Sequence, residues 1–469
     1  MVGDVRRSER MNNKTSNHVT TLLIIVIVVA VFLRLAMALY LGNTINDPQQ
    51  ERVYDQNSYD GLARRVLEGH GFSMGVDWWP LTKANAPTAH WSYLYVLYLA
   101  GIYAIFGFHP LVARIIQVIL VGICMPWLTY LLGKQAFNRR VGLIAAAICA
   151  TYLYFIFYSA SLMTESFYIL AILWSLYLAG KIRNSNRPGY RDWILLGIAM
   201  AIAVLLRQTF LFLIPIIGLW LFLATEKNRR KFIYGFGLSL LIVAAAILPW
   251  TIRNYLAFHQ FVLLNTNAGF AFFWANHPIH GTNFIVLLPP ETPYTSLIPP
   301  ELRSLDEAAM EKALMQRAVQ FVIDDPVRIL LLSISRIKDQ FIFWPSPKSD
   351  LMSNLSRLFS FGLLLPFMVY GIIAAIRTPA AGSSQSLITD HPDRRACFTA
   401  WLKTPAALWL AFIVVYTVLH LASWAAIRYR LPTDGVAIIF AGLAIAELAP
   451  RFLSLTGAAW GKKSRPLHL

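Results

Sequence analysis

Residues 53–72 read Val-Tyr-Asp-Gln-Asn-Ser-Tyr-Asp-Gly-Leu-Ala-Arg-Arg-Val-Leu-Glu-Gly-His-Gly-Phe and place two carboxylates, Asp55 and Asp60, close together on one short segment. A positioned carboxylate can take a proton from a reacting hydroxyl. Tyr59, Leu62, Ala63 and Val66 recur at helical spacing, and Gly69-x-Gly71 ends the run. Asp55 falls just before the first full turn. That position equally suits a plain N-cap carboxylate, drawn there by unpaired amides and the helix dipole. Asp60 is the rival base, on a different face of a regular helix. Tyr59 and His90 are secondary candidates. His70, His90 and His277 have no ligand-like spacing, so solvated or hydrogen-bonded histidine is a better reading than a metal ligand.

Five more charges stand inside or beside apolar runs. Glu165 lies between two of them, and a carboxylate near bilayer depth is costly enough to mark a functional site. Arg207 lies where two short runs meet. A guanidinium there can grip a phosphate bidentately, or it can snorkel to the headgroups. Arg34, Arg428 and Arg430 carry the same two readings.

These side chains need a scaffold, and the composition says which kind. Hydrophobic residues make up 57% of the 469 residues and charged ones only 14%. A soluble chain carries roughly a quarter charged residues. Runs of ~20 apolar residues must be helices, because backbone groups in lipid need internal partners. Strict alternation is missing, which excludes a barrel. The expected fold is an all-α, polytopic transmembrane bundle of about ten to twelve spans. Candidate spans are 20–41, 110–132, 141–158, 162–180, 193–206, 209–224, 232–250, 355–376, 405–422 and 434–449. Ala36-Met37-Ala38 resembles a signal cleavage site, but the run before it is long for a signal peptide, so an uncleaved first span is expected.

Charge sets the orientation. The basic groups Lys134/Arg139/Arg140, Lys181/Arg183/Arg187/Arg191, Lys227/Arg229/Arg230/Lys231, Arg377/Arg394/Arg395/Lys403 and Lys462/Lys463/Arg465 read as cytoplasmic. Two long loops, 42–109 and 251–354, then face outward and hold 15 of the 24 acidic residues. Residues 91–107 read as an interfacial helix with its tyrosines and tryptophan at the headgroups, and 327–344 as a second one. Residues 1–376 form the expected catalytic module, 377–404 a cytoplasmic linker, and 405–469 a closing pair of spans with a basic tail. The net charge of +17 is spread over short inter-span segments, with no nucleic-acid module. Cys124, Cys149 and Cys397 give neither a disulfide framework nor a metal set.

One pattern joins these features. A first span with an internal arginine is followed by Asp-x-x-x-Tyr-x-x-x-Ala and Gly-x-Gly. Then come Gly107-Phe108 with Arg114, the Lys134-to-Arg140 hairpin, and Leu162-Met163-Thr164-Glu165-Ser166. Leu205-Leu206-Arg207-Gln208, Pro249-Trp250-Thr251-Ile252-Arg253-Asn254-Tyr255, Asn265-Thr266-Asn267-Ala268-Gly269 and Arg428-Tyr429-Arg430-Leu431-Pro432 complete it. In order and spacing this resembles the GT-C superfamily of membrane glycosyltransferases. The nearest branch is that of protein O-mannosyltransferases and lipid A aminoarabinose transferases. Many relatives carry a Pro-Pro-rich segment where this chain has Ala86-Pro87-Thr88-Ala89-His90-Trp91, which leaves the acceptor open.

The resemblance implies a polyprenyl-phosphate-linked sugar donor, an outward-facing site and Asp55 as general base, with inversion. It places Glu165 as a second acidic residue in the same pocket. Arg207, Arg34, Arg428 and Arg430 become candidates for the donor phosphate. The acceptor would be an envelope glycan, a lipid or a protein. No resident cofactor is expected, and the expected location is a bacterial inner membrane with both termini cytoplasmic. A flippase or transporter of lipid-linked sugars is the rival class, and an O-antigen-ligase-like enzyme the second. No internal repeat supports the transporter.

Overall fold

The computed structural model describes residues 2–45, 54–78, 81–185, 187–225, 229–286, 288, 292–347, 349–377 and 394–463. Asp47, Glu51, most of the expected linker and Arg465 lie outside them. Every regular element among the described residues is helical, apart from three isolated β-bridges between residues 73 and 87.

Helix α1 (Val2–Leu41) leads to two short helices, α2 (Tyr54–Leu67) and α3 (Tyr93–Phe106). The central bundle follows as α4 (Pro110–Ala136), α5 (Arg139–Thr151), α6 (Leu153–Ala160), α7 (Glu165–Asn184), α8 (Tyr190–Leu206), α9 (Ile214–Ala224) and α10 (Arg229–Phe258). A second loop region carries α11 (Ala268–Asn276), α12 (Glu307–Asp324) and α13 (Pro326–Gln340). The chain closes with α14 (Leu351–Ser356), α15 (Leu363–Arg377), α16 (Arg394–Leu402), α17 (Pro405–Ala422) and α18 (Ile427–Lys463).

Among the described residues, seven helices are long and apolar enough to cross a membrane, and an eighth span arises if the bent pair α5–α6 counts as one. This is an integral membrane protein with fewer such helices than the ten to twelve spans expected. The difference lies at α8 and α9. With 17 residues, α8 reaches only about 25 Å, short of a ~30 Å hydrocarbon core. It stops at Arg207, whose backbone is extended, and a 3-10 turn separates it from α9. The expected span 141–158 is bent by 57°. The expected span 232–250 instead runs on to Phe258, carrying the Pro-Trp-Thr-Ile-Arg-Asn motif beyond its expected end.

Close helix crossings hold the bundle. A Cβ added to Gly133 on α4 would stand 2.7 Å from the Gly142 Cα of α5. Gly371 on α15 lies directly on the Phe440 backbone of α18. Small residues at such crossings let backbones pack closely where lipid supplies no hydrophobic drive.

Of the two expected interfacial helices, α3 differs from its expectation and α13 differs only at its buried arginine. Tyr93, Tyr95 and Tyr103 of α3 are buried in protein rather than placed at headgroups. Their hydroxyls donate to Asn254 (2.6 Å), Gln117 (2.7 Å) and Asp60 (2.6 Å). Buried phenols need such partners, so α3 is a wall of the core. On α13, Val327, Leu330, Leu331 and Ile334 are exposed as an interfacial helix requires. Arg336 on the same helix is wholly buried and donates to the carbonyls of Leu421 (2.8 Å) and Ala275. Within the expected linker, residues 394–402 form α16.

Candidate active site

A buried polar ladder on α4 positions the start of α2. Arg114 donates to Gln56 Oε1 (3.1 Å), to the Ala160 carbonyl (2.7 Å) and to the Thr44 carbonyl (2.7 Å). One turn on, Gln117 donates to the carbonyls of Ser159 and Ser161, both at 2.8 Å. Gln56 also accepts from the Leu162 amide at 2.8 Å. Gln56 follows Asp55, and Leu162 precedes Glu165 by three positions. The ladder therefore brings the two predicted carboxylates to one place.

Two arginines meet them there. Arg428, at the start of α18, forms an ion pair with Asp55 and donates to the Tyr429 hydroxyl at 2.8 Å. Arg207, at the break after α8, pairs with Glu165 at 2.5 Å and donates to Thr164 Oγ1 at 3.1 Å. Its guanidinium stands 5.7 Å from the Tyr168 ring centroid and 5.5 Å from that of Tyr429, so Tyr429 touches both arginines. The His420 ring lies parallel on Tyr429 at 5.0 Å. The pairs differ in access. The Glu165 side chain is 1% exposed, whereas those of Asp55 and Arg428 are 26% and 28% exposed. Both side chains of the outer pair can meet a substrate directly, whereas the inner pair is reachable only through Arg207, whose side chain is 17% exposed.

Aromatic side chains form another wall. Tyr59 lies one turn after Asp55 on α2 and meets Trp91 and Tyr95 edge-on at 5.7 and 4.9 Å. Burial, then the Asp55 charge, pushes the Tyr59 phenol well above its usual range. The His90 ring sits against Trp91 at 4.6 Å. Burial pushes its imidazole down, while Glu307 and Asp55 pull it back.

The other predicted residues are held elsewhere. Asp60 is taken by Arg64 (2.7 Å) and by the Tyr103 hydroxyl (2.6 Å). Arg34 is fully buried and donates to the carbonyls of Ala30, Cys149 and Ala150, clamping α1 to the end of α5. Arg430 pairs with Asp434 at 3.1 Å, donates to the Gln340 carbonyl and covers the Phe361 ring. Among the described residues, no group of three histidine, cysteine or carboxylate side chains converges to hold a metal ion. The structure adds Thr164, Tyr429 and His420 to the cluster. Thr164 and Tyr429 flank charged candidates in the sequence motifs, whereas His420 carries no sequence signal.

The Pro-Trp-Thr-Ile-Arg-Asn and Asn-Thr-Asn motifs support the site. Arg253 donates to the carbonyls of Thr88 (2.9 Å) and Phe72 (3.1 Å), and Trp250 stacks on Tyr93 at 4.2 Å. Asn265 donates to the carbonyls of Ala89 and Trp91, both at 2.9 Å, and Asn267 to that of His90 at 3.1 Å. Glu307 accepts from Thr82, Thr266 and the Ala89 amide, tying the two loop regions together.

Residues 92–250 match the model of the dolichyl-phosphate-mannose-protein mannosyltransferase family. No curated protein matches the chain in sequence. Among solved structures, the archaeal oligosaccharyltransferase AglB from Archaeoglobus fulgidus, in complex with an inhibitory peptide and a dolichol-phosphate, aligns with a TM-score of 0.56 at 15% identity. The alignment covers 97% of this chain and 53% of that one. The Archaeoglobus fulgidus oligosaccharyltransferase tethered to an acceptor peptide aligns with a TM-score of 0.54 at 14% identity, covering 92% of this chain and 50% of that one. The chain thus spans about half the length of these structures. In fold over nearly its whole length, and in sequence over residues 92–250, it resembles the GT-C membrane glycosyltransferases.

Proposed function

We propose that the protein is a membrane glycosyltransferase that moves a sugar from a polyprenyl-phosphate-linked donor to an acceptor hydroxyl. One observation carries the reading: the accessible Asp55–Arg428 pair lies beside the buried Glu165–Arg207 pair. Two arginines suit a lipid-phosphate leaving group, and one reachable carboxylate suits a hydroxyl's proton. The dolichol-phosphate held by AglB, which shares the fold, supports this donor class.

The acceptor oxygen attacks the anomeric carbon while its proton passes to Asp55. The bond from that carbon to the phosphate oxygen breaks, and its electron pair leaves with the polyprenyl phosphate. Arg428 and Arg207 hold the charge that develops there. The phosphate draws Arg428 from Asp55 and so frees the base when the donor is in place. A single displacement inverts the anomeric centre and needs no second carboxylate at the bond, unlike a glycosidase. The loop charges favour an outward-facing site and cytoplasmic termini in a bacterial inner membrane.

The test uses purified protein in vesicles with a radiolabelled polyprenyl-phosphate sugar and an envelope extract. The reading expects a new glycoside of inverted configuration. Donor translocation without a new glycoside would overturn it in favour of a flippase.

A further inference from the structure

Arg428 spends different nitrogens on its two partners. Nη1 meets Asp55 Oδ2, and Nη2 donates to the Tyr429 hydroxyl at 2.8 Å. A guanidinium is a rigid planar fork, so one of these contacts can be exchanged while the other stays. Tyr429 does more than accept that bond. Its ring centroid lies 4.8 Å from the Arg428 guanidinium and 5.5 Å from that of Arg207, within the range of cation–π attraction. One phenol thus touches both cations of the site.

The phenol is itself braced from another helix. The His420 ring of α17 lies on it at 5.0 Å with only 5° between the planes. His420 is buried, and its Nδ1 stands 3.2 Å from the Trp424 carbonyl. A carbonyl only accepts, so Nδ1 donates and the imidazole is fixed in orientation. Tyr416, one turn earlier on α17, closes on the His420 ring at 4.7 Å. The Tyr429 ring is therefore held by packing, beside an ion pair that is open to solvent on both sides.

Resting on the glycosyltransferase reading, we propose that the Tyr429 hydroxyl is the pivot on which Arg428 turns from Asp55 to the departing phosphate. Nη2 stays on Tyr429 while Nη1 trades the carboxylate for a phosphate oxygen. Only hydrogen bonds and ion pairs are exchanged, and no covalent bond of either residue changes. Without the hydroxyl, both nitrogens are free to settle on the two Asp55 oxygens, the bidentate form that arginine and carboxylate favour. The base is then occupied when the acceptor arrives. Tyr429 is a positioning residue, and His420 holds its ring.

The test measures transfer by the vesicle-embedded protein from a radiolabelled polyprenyl-phosphate sugar, at varied concentration, to an envelope extract. Tyr429→Phe keeps the ring on His420 and removes only the hydroxyl. It should lower kcat by about tenfold or more, the scale of a lost hydrogen bond to a charged group, and leave the donor KM within about threefold. In single turnovers of an Arg428→Ala background, with no guanidinium to turn, the same change should cost less than about twofold. His420→Phe, which keeps a flat ring on Tyr429, should retain more of kcat than His420→Ala, and this pair carries the test if Tyr429→Phe fails to fold. An unchanged kcat in Tyr429→Phe would overturn the proposal. So would a donor KM that rises while kcat holds, which would make the hydroxyl a direct phosphate ligand, or an equal loss in the Arg428→Ala background. A wild-type protein that forms no glycoside would instead remove the glycosyltransferase reading, and the pivot with it.

Discussion

Replacing Arg207 by Met should destabilise the protein sharply, because it strands a charge. Glu165 is 1% exposed and receives the Arg207 guanidinium at 2.5 Å on Oε1, while its Oε2 has no hydrogen-bond partner. Removing one partner of a buried ion pair costs about 3–5 kcal/mol, since the other charge stays buried. That is roughly a 10²–10⁴-fold change in the unfolding equilibrium, at about 1.4 kcal/mol per tenfold. The reverse change, Glu165→Gln, should cost less. Arg207 is 17% exposed and keeps the rings of Tyr168 and Tyr429. The double variant Arg207→Met/Glu165→Gln leaves no stranded charge and should recover all but about 1–2 kcal/mol, the non-additivity expected of partners in contact. Equilibrium unfolding in detergent by a denaturant titration reads all three. An Arg207→Met cost below about 1 kcal/mol, or a double variant as unstable as the sum of the singles, would refute the buried-pair reasoning.

Two further outcomes follow from the same geometry. Asp60→Asn should lower transfer less than about tenfold, because Asp60 is held by Arg64 and Tyr103 away from Asp55; a loss near the 10²–10⁴-fold range of a removed general base would make Asp60 the base instead. The second loop region should weaken in acid. Burial holds His280 down at about 4, and its neutral form accepts from the Ile285 amide and meets the Trp274 carbonyl at 2.8 Å. A folded pKa below the unfolded value of ~6.5 means stability that is full above that value and lost as pH falls toward 4. The loss is about 3 kcal/mol at most. Glu311, pushed up to about 7 by burial, acts the other way and loses stability as pH rises from its ordinary value through about 7. His280→Asn should therefore flatten the acid limb of a melting-temperature profile, and an unchanged limb would exclude His280 as its source.

Glu165, Arg207 and Arg428 stood out in the sequence because a charge beside an apolar run is costly and needs a reason; Asp55 stood out only through the family resemblance, since its residues alone suit an N-cap equally well. The same signal over-reads. Arg34 and Arg430 looked identical in sequence, but backbone carbonyls and Asp434 hold them inside the bundle. A sequence shows the charge and not the carbonyl that ends up beside it. The expected span count exceeds the long apolar helices among the described residues for a related reason. Two short apolar runs around Arg207 match two crossings in composition, while the break between α8 and α9 is a property of packing. The tyrosines of α3 suited a headgroup zone until the loop regions folded over them, which depends on Arg253, Asn254 and Glu307 acting across more than 150 residues of chain. The overall fold was readable because apolar length and loop charge are local quantities.

The central claim is that Asp55 takes the acceptor proton while arginines hold the leaving phosphate. Its most direct test is the transfer rate of Asp55→Asn in vesicles supplied with a radiolabelled polyprenyl-phosphate sugar, beside a donor-binding measurement on the same preparation. The account predicts transfer reduced about 10²–10⁴-fold with donor binding retained. Undiminished transfer at normal expression would contradict it.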